Sequence, residues 1–408
     1  MKEGEPRSDG LVRRLTLLHA VLYGVGVTIG AGIYVLVGVA AGRSGLYAPL
    51  GFLAAAVVMG FTAASFAELG TRMPVSASEA AYVEAAFRRR WLTLLMGLLV
   101  VFTAAISAAT ISAGSVGYIG VFVPLPPTWI IVLVVLSMGV IASLATTQSI
   151  AFAGVMTLIE VGGLLLIILA GVGRSDEAIA LLPEMVPSMD DGAAWLGLGA
   201  TTLVAVFAFI GFEHIVNIAE ELKEPSRTLP RALFLTLGIT AFLYMLVVWI
   251  SVTAVPPAEL AASPAPLALV FQRLTGLPLL SMSLIAVVAT LNGILVHMIM
   301  ISRVLYGLAK QGNLPKSLTH VNRTTRTPLV ATAIAVAGIL IMTIGIPLEG
   351  LADLASRGTL VIFAGVNIAL IRIKSRGDPA REGVFICHPW VPYVGAITSI
   401  LLLAVSWL

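Results

Sequence analysis

The stretch Gly24-Val25-Gly26-Val27-Thr28-Ile29-Gly30-Ala31-Gly32-Ile33 lies inside an apolar run of membrane length, from about Leu17 to Ala41. Four glycines in nine residues are a poor way to build a helix, since each costs about 1 kcal/mol relative to alanine. Glycine also lets the backbone leave the helical region without a Cβ clash. An unwound turn here would free the N–H groups of Ile29, Gly30, Ala31, Gly32 and Ile33, which suit an anion such as a carboxylate. Irregular backbone survives at membrane depth only where protein or a watery cavity covers it. The stretch is therefore a candidate substrate seat. Close packing of a neighbouring helix against small residues is the competing reading.

The rest of the chain agrees with a membrane setting. Its 408 residues are 59% hydrophobic and 11% charged, with a mean hydropathy of +1.02. That composition predicts an all-α polytopic membrane protein and excludes an ordinary soluble core. The single cysteine, Cys387, excludes an internal disulfide framework and a Cys-based metal cluster. The net charge of +3 does not point to nucleic acid, because the basic residues flank the apolar runs. The polar start leads into a full-length span with no cleavage-like end, so no signal peptide is expected.

Eleven spans are predicted, at about 17–41, 46–70, 92–122, 127–146, 150–172, 195–218, 232–255, 279–307, 328–346, 350–371 and 389–408. The stretches 179–194 and 256–278 read as longer polar connections, the second with five prolines. With the N-terminus in the cytoplasm, the loops on that side hold 20 of the 24 Lys and Arg, a strong positive-inside bias. The exceptions are Arg43, Arg174, Arg273 and Arg357. A multi-pass protein of the cell membrane, in contact with lipid, follows.

A second interrupted segment lies in span six, Phe207-Ala208-Phe209-Ile210-Gly211-Phe212-Glu213-His214. A carboxylate at that depth costs roughly 2.5–3.5 kcal/mol on insertion scales, so Glu213 should face a partner or a cavity. Two glycine-interrupted spans, five apart, suggest two inverted five-helix halves with a midplane site between them. The expected organisation is a cytoplasmic N-terminus at 1–16, a first repeat at 17–172, an extracellular connection at 173–194, a second repeat at 195–371, and a loop with an eleventh span at 372–408. Otherwise Gly211 is a packing glycine and Glu213 bonds a neighbouring helix.

Several motifs, in order, resemble one family. Thr28-Ile29-Gly30-Ala31-Gly32-Ile33-Tyr34 is similar to the first-span signature of the amino acid–polyamine–organocation superfamily. Phe66-Ala67-Glu68-Leu69-Gly70-Thr71-Arg72-Met73-Pro74 with Glu79-Ala80-Ala81-Tyr82-Val83 resembles its span-two exit. Gly211-Phe212-Glu213, Ala219-Glu220-Glu221-Leu222-Lys223-Glu224-Pro225 and Thr228-Leu229-Pro230-Arg231-Ala232 resemble its span-six exit. Tyr306-Gly307-Leu308-Ala309-Lys310-Gln311-Gly312-Asn313-Leu314-Pro315 is similar to its span-eight exit, and Leu351-Ala352-Asp353-Leu354 to its span-ten start. The nearest likeness is to bacterial and archaeal amino acid permeases related to cationic amino acid transporters.

The resemblance implies a five-plus-five inverted-repeat transporter with broken helices 1 and 6. Backbone groups of Ile29 to Ile33 would hold the substrate α-carboxylate. Carbonyls of Phe207, Ala208 and Phe209 would take the α-ammonium, with Phe209 and Phe212 as lids or walls. A half-helix N-terminus suits an anion and a half-helix C-terminus a cation. Where proton-coupled relatives place a lysine in span five, this chain has Glu160. An acid there can bind a proton itself, help bind sodium, pair with Arg357 of span ten, or serve as a structural hydrogen-bonding group. Thr290 and Asn292 of span eight are the remaining coupling candidates, a thin oxygen set for sodium. His297 reads as a packed, hydrogen-bonded histidine. Span three carries no acid, which argues against arginine or lysine as substrate, although Glu213 can compensate. The Glu220 to Glu224 cluster either pairs with Arg72 or Arg88 to Arg90 as an inner gate or is a solvated charge run.

The expected function is secondary active transport of an amino acid, with protons favoured over sodium and exchange left open. The alternative is an amino acid sensor. An enzyme is disfavoured: no metal cluster or nucleophile elbow is visible, and Gly24 to Gly32 lacks the phosphate-loop lysine. No cofactor is expected.

Overall fold

The computed structural model describes residues 15–30, 32–74, 78–144, 150–174, 179–322, 325, 327–380 and 383–407. The described part is mainly helical, and each of the predicted apolar runs forms helix over most of its described residues. Span one is split into α1 (Leu17–Ile29) and α2 (Gly32–Ser44). It is followed by α3 (Ala48–Arg72), α4 (Ser78–Phe87), α5 (Arg90–Gly120), α6 (Pro127–Leu144) and α7 (Ile150–Gly171). Span six consists of α8 (Gly192–Phe209) and a 3-10 segment, Phe212–Glu221. Then come α9 (Pro225–Ala254), α10 (Pro257–Ala262), α11 (Pro266–Thr275), α12 (Leu280–Lys310), α13 (Leu329–Gly345), α14 (Leu348–Ser375) and α15 (Val391–Val405).

Two apolar cores organise these helices. One joins α1, α3 and α9 with parts of α7, α8 and α14. The other joins α5, α6, α13 and the second half of α12. The broken spans contribute to both: Ile33 and Val37 to the first, Val35 and Leu36 to the second, and likewise Phe209 and Phe207. They thus lie on the boundary, where relative motion of the two bodies would be felt. Leu133, Leu136 and Val140 of α6, Leu158 and Leu169 of α7, and Ile397 and Leu401 of α15 point outward as an apolar surface, which lipid covers favourably.

Loops hold the departures from the sequence reading. The stretch 256–278 is not an extended connection, because Pro257 and Pro266 each sit at a helix start, where a missing N–H costs nothing. The segment folds over α2 and α5: a Cβ at Gly38 would stand 2.8 Å from the Leu260 carbonyl oxygen. The connection between spans two and three likewise contains a helix, α4.

The face bearing most of the Lys and Arg, here the basic face, is held by polar ties. Leu15 donates its N–H to the Glu221 carbonyl (2.9 Å) and accepts from Lys223 (2.8 Å), joining the ends of both broken spans. The fully buried Glu68 pairs with Arg72 (2.8 Å) and Lys374 (2.7 Å) and accepts from the Cys387 N–H (2.9 Å). Of the residues named for an inner gate, Arg72 is committed to Glu68 on its own helix and Arg90 donates to Asn313 (2.8 Å). The side chain of Glu220 lies outside the described residues. Burial, with the Glu68 carboxylate beside it, pushes the Cys387 thiol up to about 12, so it reacts slowly at neutral pH. Glu68→Ala leaves two partly buried cations without their carboxylate and should cost about 3 kcal/mol or more. A lower melting temperature and faster maleimide labelling of Cys387 would register it; unchanged labelling would contradict the described packing.

Candidate functional site

Both interruptions are real breaks, and they interlock. Helix α1 ends at Ile29, and Gly30 takes φ +28°, ψ −113° with its N–H bonded to the Gly26 carbonyl (2.9 Å). The helix resumes at Gly32; Ala31 lies outside the described residues. Helix α8 ends at Phe209, and Gly211 takes φ +125° before the 3-10 segment. A Cβ at Gly211 would stand 2.8 Å from the Val27 carbonyl oxygen and 3.0 Å from Thr28 Cα; one at Gly32 would stand 2.8 Å from Ala208 Cα. Each break therefore presses backbone against the other chain segment, leaving no room for side chains.

Tyr244 of α9 ties the two together. Its buried hydroxyl lies 2.9 Å from the Thr28 carbonyl oxygen and 2.9 Å from that of Ala208, and its ring packs on Phe209 and Phe52. A phenol has one proton to donate, so it satisfies one of these two helix-end carbonyls at a time. The sequence signal was available: a tyrosine inside an apolar span needs a partner for its hydroxyl. What it would meet was not readable.

Two small cavities open beside the breaks, each with room for about one or two waters. The first is bounded by Thr28, Gly30, Gly32, Phe207, Ile210, Ser107 and His297. The second runs on from Ser107, Ile210 and His297 towards Glu213, His214 and Glu79. Of the candidate substrate residues, Thr28, Gly30, Gly32, Phe207 and Glu213 border this space. Ile29, Ile33, Ala208, Phe209, Gly211 and Phe212 do not; they are packed in the walls behind it. Phe209 and Phe212 are fully buried among Phe52, Tyr244, Phe66 and Phe363, so Phe207 and Ile210 face the space in their stead. The Thr28 hydroxyl is satisfied by the Gly24 carbonyl (2.7 Å). The Phe207 carbonyl accepts from the Ile210 N–H (3.1 Å).

The coupling candidates separate. Glu160 of α7 is fully buried, and its Oε1 accepts from Asn292 of α12 (3.0 Å), while Oε2 has no hydrogen-bond partner. Its backbone carbonyl accepts from the Tyr34 hydroxyl of α2 (2.6 Å), so the acid is registered directly to the half-helix after the first break. Thr290 bonds its own helix at Val287 (2.9 Å) instead. The pairing of Glu160 with Arg357 is not formed. Arg357 donates to the Ser406 carbonyl (2.5 Å) and lies 4.4 Å over the Trp407 ring. Among the described residues no Lys or Arg ion-pairs with Glu160. His297 is hydrogen-bonded, as read from sequence, to the Gly293 carbonyl (2.8 Å), and also borders both cavities.

At the face opposite the basic one, Arg43 at the end of α2 makes a two-pronged ion pair with Asp353 of α14 (2.8 and 2.9 Å) and donates to the Ala200 carbonyl of α8 (3.1 Å). This side chain accounts for one exception to the charge bias: it joins α2 to α14 and α8.

The chain resembles transport proteins along its length. An uncharacterised transporter of Mycobacterium tuberculosis is 30% identical over 98% of this chain and 88% of its own. The branched-chain amino acid permease BcaP of Bacillus subtilis is 26% identical over 97% and 89%. The vacuolar cationic amino acid transporter 2 of Arabidopsis thaliana is 29% identical over 91% and 61%. A profile of the amino acid permease family matches residues 15–408, and with that match the chain belongs to the amino acid permease family.

Proposed function

We propose that this protein carries an amino acid across the cell membrane by alternating access, coupled to a proton through Glu160, with the basic face in the cytoplasm. The observation that carries the reading is the crossing of two broken spans at mid-depth. The N-terminal end of α2 at Gly30 and Gly32 suits the substrate carboxylate. The C-terminal ends of α1 and α8 suit the ammonium. Because Tyr244 has one proton for two carbonyls, either Thr28 or Ala208 is left to accept from that ammonium. The cavities are too small for an amino acid, so seating one requires the two bodies to part, which is what alternating access supplies. Residues 17–172 and 195–371 act as the inverted halves, each contributing one break.

Glu160 is suited to the coupling role because it is buried with one oxygen free and no basic partner, an arrangement that favours a bound cation. Its oxygens and Asn292 make a sparse shell for sodium, which supports the proton. The relatives' names span branched-chain and cationic amino acids and, in one case, methylthioribose, and the family match favours an amino acid among these.

Uptake of labelled amino acids into proteoliposomes, with imposed pH or sodium gradients, tests the reading. Accumulation following an inwardly directed proton gradient is expected. Specific binding without uptake under any gradient would identify a sensor instead. Asp353→Asn removes the charge that clamps Arg43 while keeping its size. It should free the outer end, raise accessibility there to a cysteine probe placed at the buried Ser44, and change uptake rate several-fold; an unaltered rate and accessibility would remove the clamp from the gating role.

A further inference from the structure

The larger cavity has a composition that substrate seating does not require. Four titratable side chains border it: Glu213 and His214 from the 3-10 segment, His297 from α12 and Glu79 from α4. All are buried. The rings of His214 and His297 meet edge to face, 6.1 Å between centroids, and His214 Nε2 lies 3.9 Å from Glu213 Oε1. Glu213 Oε2 accepts from the Gly211 N–H at the second break (2.9 Å). The hydroxyls of Thr103 and Ser107 also border the cavity, and both are buried without a hydrogen-bond partner.

The hydrogen-bond roles are constrained. A carbonyl only accepts, so His297 Nδ1, against the Gly293 carbonyl, carries the hydrogen and Nε2 is left as a base. We propose that His214, His297 and Glu213 form a proton-binding cluster, separate from Glu160, on the route between the first break and the basic face. A proton bound at His297 Nε2 or His214 makes an imidazolium in a cavity that also holds the unsatisfied hydroxyls of Thr103 and Ser107, with the Glu213 carboxyl 3.9 Å from His214 Nε2. Because Glu213 also holds Gly211, the proton's arrival bears on the second break. The remaining titratable and charged surroundings are Glu79 of α4, which acts on Glu213, and the neutral phenol of Tyr23 of α1, with Glu221 and Arg303 around it. Helices α5 and α14 present hydroxyls of Thr103, Ser107 and Thr359 to the cavity. The cluster stands whether or not Glu160 carries the coupling proton.

The test uses the full chain in nanodiscs with ¹⁵N-labelled histidines, of which there are five. Imidazole signals are followed between about pH 3 and pH 8, because burial disfavours the charged ring, assigned with His214→Gln and His297→Gln. Titration of His214 and His297 as a coupled pair is expected, with Glu79→Gln and Glu213→Gln each displacing the His214 midpoint, the latter by about one unit or more. Glu79→Gln leaves the Gly211 contact intact, so its result does not depend on the break surviving. Flat signals for both rings in the wild-type chain, or midpoints indifferent to one another and to both acids, overturn the proposal. Uptake supplies the second arm: the His214→Gln/His297→Gln variant should flatten the pH profile of transport. Absence of uptake in the wild-type chain defeats the transporter reading while leaving the titration result to decide the cluster.

Discussion

Gly211→Ala should abolish substrate binding and lower the melting temperature. At φ +125°, ψ −26° an L side chain meets its own backbone, and such conformations cost about 1–3 kcal/mol. The new methyl would also stand 2.8 Å from the Val27 carbonyl oxygen, 2.9 Å from its carbon and 3.0 Å from Thr28 Cα. These are main-chain atoms, which cannot swing aside as a side chain can. Relief requires the two breaks to separate, moving the Thr28 and Ala208 carbonyls off Tyr244 and widening the seat. Gly238→Ala is the control: it lies within α9 with no atom in the way of a Cβ, so the better helix former should be neutral or slightly stabilising. Thermal-shift binding and uptake, measured on both variants, make the comparison. Wild-type affinity in Gly211→Ala would place the substrate away from the crossing. Gly30→Leu should likewise eliminate binding, because its side chain would fill the space bordered by Thr28, Gly32 and Phe207.

Glu160→Gln should eliminate gradient-driven accumulation while sparing exchange of substrate for substrate. The amide keeps a carbonyl oxygen for Asn292 and keeps the volume, so the contact between α7 and α12 survives. It can no longer bind and release a proton. Loss of accumulation by about tenfold or more, with counterflow at near wild-type rate, is the expected pattern, since the coupling ion is needed for net movement and not for the exchange half-cycle. Uptake that stays full and equally pH-dependent would remove Glu160 from coupling and leave it as a hydrogen-bonding strut between α7 and α12. Asn292→Leu sharpens the contrast, because it leaves both carboxyl oxygens unpaired in apolar surroundings and should reduce stability as well.

The helices and breaks were legible because the signals are local. Each span is a long apolar run, and hydropathy needs no knowledge of neighbours. The glycine cluster at Gly24 to Gly32 weakens the helix wherever it is placed, and the lone Gly211 was singled out by the acid beside it and by lying five spans on. The short helices α4, α10 and α11 were missed for the complementary reason: they are brief, α10 and α11 begin with proline, and their apolar faces gain stability only from what they pack against. Pairings were harder again. Arg357 and Glu160 were plausible partners by charge, yet α7 meets α12 at Glu160, and the arginine caps the end of α15 instead.

By itself the sequence determined that this chain is a bundle of membrane helices, that two of them carry glycines where a break could form, and that an acid lies within span five. Those properties follow from residue chemistry within a single turn or a single span. Only the tertiary structure decided that the interruptions cross, that Tyr244 serves both, that Asn292 holds Glu160, and that two histidines from different helices share a cavity with Glu213. Such facts depend on which helix faces lie against one another. Apolar runs of similar composition leave that undetermined, and it is settled by the close packing of backbone on backbone at Gly32 and Gly211.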